Sequence, residues 1–256
     1  MSKGGQVGNV TSLSLKTVVS DSTNQPDYAA SPTWTLVQPL INLESFQVDS
    51  FVGVNSINTI DSRNDMLYWT EYPNSTTANN FTAIIPTNYY DSNTILPALQ
   101  TAFNSSNTGS NYQVSIVSTA ASFIQVTNTQ TSFMVTGYEE YHNINYEIGF
   151  MGNETAGNVQ VAYQSMDLSG VKEINIVSSS LGTNHSNLAG SGYKIISNIP
   201  VSAPFGGTII YAGDYQYTSC PIPFMSQFTC ILLDERLRQL NQNILDWSLT
   251  LLVKSQ

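Results

Sequence analysis

From Trp34 onward the chain alternates short apolar runs with turn residues, the rhythm of strands rather than helices. The longest run covers residues 36–54 and carries Ile41, Leu43, Phe46, Val48, Phe51 and Val54. Its phase slips between Leu43 and Phe46, which predicts a bulge or a break into two strands. Residues 66–69 form the next run, and Phe81, Ala83 and Ile85 alternate until Pro86 stops them. Tyr112, Val114 and Ile116 alternate cleanly. Apolar pieces at 123–126 and 133–135 flank a turn at 128–131, and further runs start at Ile174 and Ile209. The last two runs are the clearest. Phe228, Cys230 and Leu232 share a face, as do Trp247, Leu249, Leu251 and Val253, with Ser248, Thr250 and Lys254 opposite. Successive strand side chains point to opposite sides of a sheet, so period two fixes these faces.

One segment has helical spacing. In residues 91–103, Ile95, Leu99 and Phe103 recur every four positions and Leu96 lies three before Leu99. Polar residues before Ile95 offer an N-cap, and Pro97 fits only in a first turn. Residues 234–245, with Leu237, Leu240 and Ile244, read either as a second short helix or as an elaborated hairpin. The pattern amounts to roughly eight to ten strands and one helix, with no fixed-period repeat. Strands rarely alternate with helices, which disfavours a parallel βαβ sheet. Long connections such as residues 137–166 suit Greek-key crossovers. The fold expected is all-β, a jelly-roll sandwich over residues 34–256 taken as one domain. Residues 1–33 are polar and broken by Pro26 and Pro32, with one short apolar stretch at 13–19, and read as an extended N-terminal arm.

Composition sharpens this picture. Of the 256 residues, 41% are hydrophobic and 11% aromatic, ample for a core, while only 10% are charged. Ordinary soluble chains carry about 25% charged residues; here Ser, Thr, Asn and Gln take their place, as suits sheets and loops. The net charge of −10 and the scatter of the eight basic residues argue against duplex DNA binding by the folded domain. Cys220 and Cys230 are too few for a disulfide scaffold and read as reduced thiols, with Cys230 in the core. No apolar run approaches the roughly 20 residues that span a bilayer, and the start of the chain has no signal-peptide core, so folding in a reducing compartment is expected.

Catalytic constellations are thin. His142 and His185 are the sole histidines, too few for a three-histidine metal site, and His142 beside Glu139 and Glu140 reads as a solvated loop residue. No nucleophile-elbow serine, phosphate loop or dinucleotide fingerprint is present, and Gly190-Ser191-Gly192 reads as a turn. The carboxylate pairs Asp61 with Asp65 and Asp234 with Glu235 arise readily by chance in a β protein. Asp61, Asn64 and Asp65 offer oxygen ligands for calcium but fit a polar turn with an Asx cap better. Six Asn-x-Ser/Thr sequons, at Asn9, Asn74, Asn80, Asn104, Asn153 and Asn184, are expected in a chain this rich in Asn, Ser and Thr. The sequence therefore assigns no catalytic, cofactor-binding or metal residue, and no cofactor. Two tyrosine clusters, Tyr138, Tyr141 and Tyr146, then Tyr211, Tyr215 and Tyr217, suit either a docking surface or the capped ends of a sandwich.

Four ordered segments resemble a known family. Ile85-Pro86-Thr87-Asn88-Tyr89-Tyr90 with the helix ending in Leu99-Gln100-Thr101-Ala102-Phe103-Asn104 resembles a strand, tyrosine and short-helix block of minor capsid and penton proteins. Those proteins belong to polinton-like viruses, virophages and large eukaryotic double-stranded DNA viruses. Ile148-Gly149-Phe150 resembles their Leu-Gly-Phe element. The segment from Asp167-Leu168 to Leu181, followed by Ile195-Ile196-Ser197-Asn198-Ile199-Pro200, is similar to their penultimate region. The segment from Phe228 to Asp234-Glu235, then Asp246-Trp247-Ser248-Leu249-Thr250-Leu251, resembles their closing pattern of apolar strand, acidic turn, Asp-Trp and final strand. The last turn departs from the family: it is longer and lacks glycine. The resemblance spans about residues 36–254 and implies a jelly roll with no catalytic residues. It further implies a penton or other minor capsid protein, a homopentamer contacting the major capsid protein and other minor capsid proteins, found in the virion and made in the host cytoplasm. A cementing protein and a carbohydrate- or receptor-binding β-sandwich are the rival expectations.

Overall fold

The computed structural model describes residues 9–16, 33–74, 77–105, 111–117, 122–137, 139–140, 142–152, 154–181, 194–213, 216–240 and 246–255. In chain order the elements are β1 (Asn9–Lys16), β2 (Thr33–Val54), β3 (Met66–Asn74), β4 (Thr77–Ile84), α1 (Ile95–Ser105), β5 (Tyr112–Ile116), β6 (Ile124–Asn128) and β7 (Ser132–Thr136). They continue with α2 (Asn145–Ile148), β8 (Val159–Val161), β9 (Glu173–Ser178), β10 (Lys194–Pro200), β11 (Thr208–Ala212), β12 (Thr218–Leu233) and β13 (Trp247–Ser255). Every strand pairing is antiparallel. The fold class is all-β, consistent with a jelly-roll sandwich.

The chain divides into two compact units, residues 1–57 with 171–256 and residues 58–170. This differs from the one domain expected over 34–256. Alternation marks which residues are buried but not which stripes share a core, and the buried residues fall into two separate clusters. The second unit is an insertion between two segments of the first.

In the first unit, seven strands run in the order β1-β13-β2-β12-β9-β10, with β11 also on β2. Trp247, Leu249, Leu251 and Val253 are all buried, as their period-two stripe predicts, and so are Phe228, Cys230 and Leu232. Trp247 stacks on Phe51 at 5.6 Å, and Trp34 bridges Phe228 and Trp247 at 5.7 and 5.6 Å. The phase slip between Leu43 and Phe46 is a bulge within one continuous strand: β13 steps from Lys254 to Ser255 while β2 steps from Ser45 to Leu43, leaving Glu44 extra. Gly213 closes β11 where a Cβ would lie 1.8 Å from the Val48 carbonyl oxygen, so no side chain fits there. Within the expected arm, Asn9–Lys16 is the edge strand β1 on β13 and buries Leu15; the rest of residues 1–32 lies outside the described residues.

Residues 234–240 form a turn, not a helix. Leu233 bridges Gln239 antiparallel, Leu240 N–H donates to the Leu232 carbonyl, and Leu237 has a left-handed φ of 63°. Buried Asp234 organises it, accepting the N–H groups of Arg236 and Arg238 at 2.9 and 2.8 Å and pairing with the Arg238 guanidinium at 2.9 Å. Residues 241–245 lie outside the described residues.

The second unit holds two three-stranded sheets, β4-β3-β7 and β5-β6-β8, with α1. Asp91 starts α1 by accepting the Thr94 and Asn93 N–H groups; those bonds, Thr94 foremost, hold its carboxyl below the usual range. The expected stripe, Ile95, Leu99 and Phe103, is buried. On the far side of the helix, Gln100 accepts the Val114 N–H, and Asn104 bridges both backbone groups of Tyr112, so helix side chains satisfy an edge of β5. Phe103, Tyr112, Phe133 and Trp69 form an aromatic core with ring centroids 5.0–6.4 Å apart. The long connection expected at 137–166 contains α2 and β8. Gly149 ends α2 at φ 80°, with a Cβ position only 2.0 Å from the Gln164 carbonyl oxygen, and Phe150 follows into the core. This is the local reason for glycine in the Ile148-Gly149-Phe150 element.

Candidate assembly surface

The side chains capable of chemistry are mostly committed to structure. Asp61 grips the Arg63 guanidinium at 2.7–3.0 Å and caps the Arg63 N–H, while Asn64 accepts the Asp61 N–H and donates to Thr59 and Glu147. The oxygens considered for calcium thus build an Asx turn around a buried ion pair. Asp65 stands apart; burial raises its carboxyl, against the opposing field of His142. His142 is a left-handed turn residue of the second unit, and His185 and Gly190-Ser191-Gly192 lie outside the described residues. Among the described residues no three His, Cys, Asp or Glu side chains come together as metal ligands. Both cysteines are buried and neither is in a disulfide, and burial pushes the Cys230 thiol up.

One buried pair escaped sequence reasoning. The Tyr112 hydroxyl donates to Glu71 at 2.5 Å inside the second unit. Burial first, and the Glu71 carboxylate second, push Tyr112 ionisation far above its ordinary value. Both residues are buried, so the pair is a core fastening rather than a presented acid and base. The alternation of β5 predicted Tyr112 inside, but nothing local marked Glu71 as its partner.

Charge is divided unevenly. Residues 58–170 contain nine carboxylates against Arg63, a net −8, and Arg63 is buried against Asp61. The remaining residues contain nine carboxylates against seven basic residues, a net −2.

The first unit also exposes an apolar, uncharged surface. Residues 33–43 of β2 and 216–229 of and before β12 contain no charged side chain. Their inner face carries Leu36, Leu43, Cys220, Met225 and Phe228 into the core. Their outer face shows Val37 at 101%, and Ile41 and Phe224 at 60% each, exposed. Ile41 and Phe224 are direct cross-strand partners. Among the described residues, positions 33–42 pair only with β12, yet Pro39, Pro221 and Pro223 remove N–H donors from this ribbon, which blunts strand addition. Exposed apolar side chains grouped on a β-ribbon make it a candidate interaction site. Three prolines inside apolar runs were its sequence signal.

The tyrosine clusters fall in different units. Tyr146, on α2, is exposed; Tyr211 is half-buried on β11; and Tyr217 lies under the Lys254 ammonium at 3.7 Å. Tyr138, Tyr141 and Tyr215 lie outside the described residues. Among the described residues, no helix is long and apolar enough to cross a membrane.

No family profile and no curated protein matches the chain. Among solved structures, the crystal structure of selenomethionine-labelled mavirus penton protein matches with a TM-score of 0.51 and 10% identity, covering 97% of this chain and 100% of that one. The D1-D2-D3 domains of the Escherichia coli flagellar cap protein FliD match at a TM-score of 0.18 and 11% identity, over 96% of this chain and 58% of that one, too low to bear on the fold. This chain shares the fold of the mavirus penton protein along nearly its whole length.

Proposed function

We propose that this protein is a structural component of a virus shell, a minor capsid protein forming the pentameric vertex of an icosahedral double-stranded DNA virus. The observation that carries the reading is the fold shared end to end with a penton protein. The ordered sequence blocks that resemble penton and minor capsid proteins support it, as does the exposed, uncharged ribbon of the first unit. Among the described residues, the Asp61–Arg63 and Asp234–Arg238 ion pairs commit their carboxylates to structure, which supports a non-catalytic role. The shell is built through self-contacts and contacts to the major capsid protein and other minor capsid proteins, and the folded protein does not bind duplex DNA. Mass photometry of the purified protein tests this: pentamers are expected, and a protein that neither forms closed oligomers nor joins shells of its major capsid partner refutes it.

A second reading rests on the outer face of β5-β6-β8. There Val159 and Val161 are exposed opposite Thr127 and Gln125, with Gln113 beside Thr127, and the exposed ring of Tyr163, two residues past β8, adds an aromatic group that suits a carbohydrate receptor. Glycan binding abolished by Tyr163→Ala supports it; an array without reproducible binding removes it.

A further inference from the structure

We draw no further inference here: the strongest candidate, the exposed apolar face of the β2–β12 ribbon around Val37, Ile41 and Phe224, is an unpartnered surface, and nothing in the structure shows what covers it.

Discussion

Asp234 gives the sharpest test of the first unit, because it decides how the chain turns between its two longest closing strands. Its carboxylate is completely buried and accepts two backbone N–H groups and the Arg238 guanidinium. Asp234→Ala deletes two hydrogen bonds to an anionic acceptor, each worth about 1.5–3 kcal/mol. Arg238 is 29% exposed and regains water, so its loss of a partner adds little. The expected destabilisation is about 3–5 kcal/mol. Asp234→Asn keeps one oxygen for the N–H groups and loses the ion pair, an expected cost of about 1–2 kcal/mol. Two compact units need not unfold together, so the readout is urea titration followed by peptide-resolved hydrogen exchange. Peptides from β12 and β13 should lose protection while those from β3 and β7 keep theirs. Leu237→Gly supplies the control for conformation. In the turn it relieves a left-handed leucine, whose backbone costs about 1–2 kcal/mol, and leaves stability equal or higher; in a helix it would cost about 1 kcal/mol. An unchanged urea midpoint for Asp234→Ala, or a destabilised Leu237→Gly, refutes the turn.

Three further outcomes follow from the packing. Leu15→Ala, which empties a buried position of the edge strand β1, should cost about 2–3 kcal/mol and appear as a lower Tm of the first unit. Tyr112→Phe leaves Glu71 without its buried hydroxyl donor and should destabilise the second unit by about 1–3 kcal/mol, with unchanged exchange in the first. Asp65 carries a pH dependence. Its folded pKa lies above the unfolded value of 3.8 because burial disfavours the charge, so the stability of the neutral form is fully present below 3.8 and is lost as pH rises through the folded value. Asp65→Asn should therefore raise Tm at neutral pH and match the parent below about 3.8; thermal melts across pH 3–7 that run parallel would contradict the assignment.

Much of the local structure was legible in the order of residues. The stripes of β12, β13 and α1 and the bulge near Leu43 are consequences of side-chain geometry along one element, so periodicity alone reveals them. The short strand β8 and the edge strand β1 were harder, since three residues give no period and an edge strand buries little. The resemblance carried the last step: the four ordered blocks pointed to the fold later matched, although that likeness is only 10% identical.

By itself the sequence determined an antiparallel all-β chain with one amphipathic helix and a low share of charged residues. Those properties are sums over composition or short-range repeats. Only the tertiary structure decided that residues 58–170 form their own compact unit, that this unit holds most of the net negative charge, and that Val37, Ile41 and Phe224 face outward together. Alternation tells which side of a strand is apolar; which apolar sides find one another, and which remain for a partner, depends on strand pairings between residues nearly two hundred positions apart, as between Trp34 and Phe228.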